Sequence, residues 1–302
     1  MEQLFDINLR VRRPAFNIAV FYMILVGFFD SLLISRFASS MVSIVLLYLF
    51  QPFLVFGVPV LFLKLHEKKY SQAFARSAYT PPKARKRDIV LVALTALTAW
   101  LFYTYSIYAV EGFRAAATGG LSLYIPPRPS LWQLFLSLVV NAVFAVGLRE
   151  YAFRYLGRKA YGRTIWGIAF ASLLSAFVSY DLLIAIRLFI LGVGSAAIFC
   201  GTKRMRFCFI FAFVFEGLQT IVPSYWILPL STYAAVSIET SVLYGLFSAA
   251  AALIFAAVLY WLFRSVRFQP AKGTFRFKRS AVLTFVLCLA AFAALTIWNK
   301  FI

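Results

Sequence analysis

Four carboxylates interrupt apolar stretches of this chain: Asp30, Glu150, Asp181 and Glu216. An acid inside a membrane-spanning helix is costly, so each one needs a partner or a task. Arginines stand near them, with Arg149 directly before Glu150, Arg154 four residues after it, and Arg187 six residues after Asp181. Two carboxylates held close together can divide general acid and general base work, and a guanidinium can polarise a reacting carbonyl. The same residues can equally form compensated buried pairs with no catalytic role. Glu150 and Arg154 are i and i+4 in the order that favours an α-helical ion pair, so that spacing predicts mutual neutralisation. Asp30, next to Ser31, reads as an interhelical hydrogen-bonding residue.

Other chemistries are excluded by what is missing. The only histidine, His66, follows an apolar run, precedes "EKK" and reads as a loop residue. A zinc site built on histidines is therefore ruled out, as is any mechanism that needs two of them. Cys200, Cys208 and Cys288 form no CxxC and read as small apolar residues. No metal or cofactor is expected.

The elements that must position the acids follow from composition. Of 302 residues, 63% are hydrophobic and 13% charged, which defines an all-α, polytopic membrane protein with a single membrane-embedded domain over 1–302. A helix needs about 20 apolar residues to cross the hydrocarbon core. Division at charge, Pro and Gly clusters predicts nine spans: 17–35, 41–63, 89–110, 131–160, 164–183, 184–201, 207–228, 240–263 and 281–299. The first of these is read as a retained helix rather than a cleaved signal.

The formal net charge of +20 sits in short blocks between the spans. All Lys and Arg except Arg36, Arg114, Arg128, Arg187 and Lys300 fall on one side of the alternating path. That side is cytoplasmic and carries the amino terminus. The basic loops "HEKKYSQAFARSAYTPPKARKRD" and "RSVRFQPAKGTFRFKRS" fit anionic lipid headgroups, so membrane lipids are the expected partners and nucleic acid is not. The outside loop "EGFRAAATGGLSLYIPPRPS" fits a short re-entrant or surface element.

Depth narrows the candidates. If the fourth helix continues to Gly162, Glu150 stands roughly 18 Å above the cytoplasmic turn, and Asp181 stands roughly 22 Å above Trp166 on the antiparallel fifth helix. The two acids then share a level, with Arg149 placed to pair with Asp181 and Arg187 as another candidate partner.

With these residues in place, the segment from Arg149 to Tyr155 resembles the EExxFRG motif of the CAAX protease and bacteriocin-processing family of glutamic intramembrane proteases. Glu150, Phe153 and Arg154 match; Arg149 replaces the first Glu, and Tyr155 replaces the Gly. "AFVSYD" resembles the family's FxxxH, with Phe177 kept and Asp181 in the histidine place. "GVGSAAIFCGTKRMRFCFIFAFVFE" follows the family's third stretch, with Ala212 where the second histidine belongs and Glu216 where the asparagine belongs. The resemblance covers 149–216, inside a family-like core of about 131–228.

The resemblance implies a water-activating Glu at the position of Arg149, a Glu150–Arg154 supporting pair, and oxyanion donors at 181, 212 and 216. Only the supporting pair survives at its own positions. Arg149 stays protonated and cannot serve as a general base, and without histidines the usual oxyanion donors are gone. The leading expectation is a pseudoprotease of a bacterial cytoplasmic membrane that binds a membrane protein or peptide. The alternatives are a peptidase with a rewired site, drawing on Glu150, Asp181 or Glu216 with Arg149 or Arg154, and a transporter lined by the same charges.

Overall fold

The computed structural model describes residues 14–29, 50–70, 85–118, 130–157, 165–179, 182–202, 204–222, 238–265 and 279–301. These are helical apart from short turns, with no strand among the described residues. In chain order the helices are α1 (Pro14–Phe29), α2 (50–70), α3 (Lys86–Thr118), α4 (131–157), α5 (Ile165–Ala176), α6 (Leu182–Thr202), α7 (Met205–Val222), α8 (Ile238–Ser265) and α9 (Arg279–Phe301).

The fold is all-α. Among the described residues, four stretches are long and apolar enough to cross a membrane: Lys86–Phe113 in α3, Leu134–Phe153 in α4, Met205–Val222, and Ser241–Ser265 in α8. Shorter apolar stretches lie in α1, α2, α6 and α9. α5, at 12 residues, extends only about 18 Å, well short of the hydrocarbon thickness. The outward surfaces of α8 and α9 carry exposed Leu246, Leu253, Trp261, Leu283 and Ile297. Large apolar side chains facing outward along whole helices are what a lipid solvent selects and water does not.

Among the described residues the interior holds two large apolar cores and a small cluster of Ala176, Ala185 and Leu188. One joins α1, α2, the end of α4, α5 and Cys288 of α9 around Phe16, Met23, Phe153 and Leu174. The other joins α3, α6, α7 and α8 around Leu191, Ile198, Phe211 and Leu262. α4 belongs to both, giving Val146 to the second and Ala152, Phe153 and Leu156 to the first. Its intervening residues therefore lie on the seam between the cores. Hydrocarbon supplies little drive for helix association, so polar bonds between helices register them. Asn17 Nδ2 donates to Thr284 Oγ1 at 2.7 Å, Trp100 Nε1 donates to Gln219 Oε1 at 3.1 Å, and the Ser106 and Ser248 hydroxyls meet at 2.7 Å.

Three expectations change. The fifth helix ends at Ala176 rather than 183, because both the amide and the hydroxyl of Ser179 bond to the Ala176 carbonyl, at 3.3 and 3.1 Å, and close a turn there. His66 is helical, since α2 continues to Tyr70, and its ring lies 6.2 Å from that of Phe62 one turn back. Finally, α4 is not uniformly α-helical: Leu138–Ala145 and Tyr151–Leu156 are π-helical, and only Val146–Glu150 between them is α-helical. The predicted Glu150–Arg154 contact lies outside the described residues, because the Arg154 side chain does.

α6 and α7 approach closely where Gly194 faces the Phe211 ring; a Cβ at Gly194 would lie 2.5 Å from Phe211 Cζ. Phe211 is fully buried. Gly194→Ala gains about 1 kcal/mol of helix propensity but overpacks a close-packed contact at about 1–3 kcal/mol. A lowered unfolding midpoint in detergent is the expected result, and a raised one would show that the helices can part without loss.

Candidate functional site

The α-helical turn between the two π stretches of α4 carries Arg149 and Glu150, 6% and 0% exposed. π-helical turns inside α-helices recur at functional sites, where they re-aim neighbouring side chains. Here two successive residues are both turned into the bundle. Arg149 Nη2 donates to Glu216 Oε1 at 3.0 Å, and Arg149 Nε lies 3.9 Å from Glu150 Oε1. On its other oxygen, Oε2, Glu150 accepts a hydrogen bond from the Ser195 hydroxyl of α6. Glu216, on α7 and 7% exposed, also has Oε2 3.8 Å from Arg187 Nη1 of α6. The result is a line of alternating charges, Glu150, Arg149, Glu216 and Arg187, contributed by three helices.

α6 and α7 are locked together beside this line. The Cys208 thiol donates to the Ser195 carbonyl at 3.4 Å, and Gly194 admits the Phe211 ring against the α6 backbone. The backbone of Ser195 is thus fixed by α7 while its hydroxyl holds Glu150 of α4. The two free cysteines whose side chains are described, Cys208 and Cys288, are buried among apolar residues.

Energetically the line is self-compensating. Burying an isolated carboxylate or guanidinium costs several kcal/mol, whereas opposite charges about 4 Å apart attract by about 4 kcal/mol at an effective dielectric of 20. Removing one member leaves its neighbours as uncompensated buried charges. Arg149, which touches both acids, is the member whose loss strands the most.

A cavity of about 370 Å³ opens on one end of the line. Arg149, Arg187 and Glu216 form its charged wall, with Gln51, Ser179 and Thr220 adding polar groups and Val55, Phe56, Ile184 and Leu188 an apolar side. Its size falls in the range of small-molecule sites. Glu150 lies behind Arg149, outside the wall.

Of the residues singled out from sequence, Arg149, Glu150 and Glu216 are brought together, and Arg187 joins them. The partner of Arg149 is Glu216, on α7; the expected contact with Asp181 lies outside the described residues, as does Asp30. Arg154 lies on the π-helical stretch Tyr151–Leu156, and its side chain is outside the described residues. Ala212 is buried in the core between α3, α6 and α7, one turn below Glu216. Ser195, Gln51 and Thr220 were missed. A hydroxyl in the apolar run of α6 was visible in the sequence, but its carboxylate partner, 45 residues away, was not.

No family model matches the chain, and it matches neither a curated protein nor a solved structure.

Two substitutions rank the contacts. Arg149→Leu is expected to lower folding stability by about 3–5 kcal/mol, the usual consequence of breaking a buried ion pair by removing one partner. Ser195→Ala, which takes one hydrogen bond from a charged group, is expected to lower it by about 1.5–3 kcal/mol. Denaturant titration in detergent gives the order; a larger loss for Ser195→Ala would move the anchor of Glu150 from Arg149 to Ser195.

Proposed function

We propose that this chain is a non-catalytic relative of the CAAX protease and bacteriocin-processing intramembrane proteases, with nine membrane spans and a cytoplasmic amino terminus, whose cavity binds a membrane partner. The observation that carries this reading is the placement of Arg149. It occupies the position where the resembled motif has its water-activating glutamate, and its guanidinium is bonded to Glu216 and set beside Glu150. A guanidinium cannot take a proton from water.

Among the described residues, neither carboxylate of the cluster is placed as a replacement base; Asp181 lies outside them. Glu216 has one oxygen bonded to Arg149 and the other facing Arg187. Glu150 is fully buried, accepts from Ser195 and does not line the cavity. What remains is a cavity of ligand size with charged, polar and apolar walls, suited to holding a molecule rather than cleaving one. A bacterial cytoplasmic membrane is the proposed location, with anionic headgroups against the basic loops.

Purified protein incubated with membrane-spanning peptides is expected to release no fragments, and Glu150→Gln, though less stable, is expected to release none either. Cleavage by the wild type that Glu150→Gln abolishes would overturn the reading and favour a peptidase with a rewired acid and arginine site.

A further inference from the structure

We propose that the cavity holds the carbonyl group of an uncharged acyl lipid, with Arg149 and Gln51 as its hydrogen-bond donors. This rests on the reading of the cavity as a binding site and names the chemistry of its occupant.

The charges of the wall are already engaged with one another. Glu216 is bonded to Arg149 and faces Arg187, and Arg187 has a further interaction besides that one. An ionic ligand would have to displace one of these contacts and leave a buried charge uncompensated, whereas an uncharged ligand disturbs none of them. The hydroxyls of Ser179 and Thr220 are occupied as donors too, each by a nearby backbone carbonyl, that of Ala176 at 3.1 Å and that of Glu216 at 2.8 Å.

Arg149 and Gln51 keep donors unused. A guanidinium carries several N–H groups in a fixed fork, and the one hydrogen bond that Arg149 makes among the described residues runs from Nη2 to Glu216. Its Nε is buried with no hydrogen-bond partner, and its Nη1 takes none among the described residues. The side chain is 8% exposed and lines the cavity, and a buried donor left unmet is costly, so an acceptor is favoured there. Gln51 of α2 faces the same space, half-buried, and its amide makes no hydrogen bond among the described residues. Ester carbonyls are uncharged acceptors that a bilayer supplies.

Shape and access fit the same occupant. Val55, Phe56, Ile184 and Leu188 give the first carbons of an acyl chain an apolar side to lie on. Pro52 of α2 and Ala145 of α4 border the cavity, and the residues next to them, Phe53 and Phe144, meet on the outer surface with ring centroids 6.0 Å apart, 49% and 44% exposed. Phe144 lies within the Leu134–Phe153 stretch that can span the hydrocarbon, so this seam between α2 and α4 faces acyl chains. A cavity of about 370 Å³ has no room for a transmembrane helix about 10–12 Å across, but it takes an ester group and the chain beside it.

Scintillation proximity binding of tritiated methyl oleate to the detergent-purified full chain tests this. Saturable binding is expected, displaced by unlabelled ester and not by equal 1-octadecene, which has the chain without the carbonyl. Oleyl sulfate, with the same chain and a fixed charge, is expected to displace it roughly tenfold more weakly than the ester does. Gln51→Leu removes a group that bonds nothing in the free protein and is expected to weaken binding roughly fivefold, as for loss of one neutral hydrogen bond. A Cβ at Gly27 would meet only ordinary contacts, 3.5 Å from the Val178 carbonyl oxygen and 3.9 Å from Val55 Cγ1, so Gly27→Leu fills the cavity with every charge intact and is expected to abolish binding. The comparison of ester with 1-octadecene uses the wild type and carries the test if a variant does not fold. Equal displacement by 1-octadecene or by oleyl sulfate, undiminished binding by folded Gln51→Leu or Gly27→Leu, or no saturable binding would overturn the proposal. Recovery of free oleate in place of the intact ester, or cleavage of peptides, would overturn the non-catalytic reading while leaving the binding result intact, so the two failures are distinguishable.

Discussion

One guanidinium between two carboxylates organises the interior of this protein. Arg149 is 6% exposed, and both of its acidic neighbours, Glu150 and Glu216, are buried with it. In an apolar interior none of the three is tolerable alone, and each becomes tolerable only at the spacing the other two set. That requirement fixes α4 against α7 directly, and α6 against both through Ser195 and Arg187. The two apolar cores meet along α4, so the charges lie where neither core has to close over them.

The helix geometry serves the same constraint. Arg149 and Glu150 lie on one α-helical turn about 100° apart, and both still reach the interior because the seam there opens onto α6 and α7. The π-helical stretches on either side change the phase of α4 before and after this turn. Close approach of α6 and α7 at Gly194 and Phe211, with the Cys208 thiol on the Ser195 carbonyl, then holds the remaining two helices at the reach the side chains need. A charge cluster buried this way resists rearrangement, because moving any member would leave its neighbours in an uncompensated field.

Much of this was legible in the sequence, and the limits have physical causes. Composition was enough for the all-α, membrane-embedded class, since apolar content of this level has no aqueous solution. The cost of burying charge was enough to single out Glu150, Glu216, Arg149 and Arg187. Partner choice was not legible, because Arg149 and Glu216 are 67 residues apart and a depth count along ideal helices cannot rank acids on different neighbours. That count also assumed a fifth helix reaching Asp181, whereas the Ser179 turn ends it at Ala176. The change from α- to π-helical geometry after Glu150 was not legible either, since no residue in "REYAFRYL" announces it. Ser195 escaped notice because a serine in an apolar helix ordinarily bonds its own backbone.

The central claim is that Arg149 and Glu216 compensate each other inside the bundle, and a double-mutant cycle measures that compensation directly. Unfolding free energies in detergent would be compared for the wild type, Arg149→Leu, Glu216→Leu and the double variant. Each single change strands a buried charge, whereas the double change removes the pair together, so the double variant should be less damaged than the sum of the singles by about 1–3 kcal/mol. Additive losses would contradict the claim and leave the two residues as neighbours without a shared energetic role.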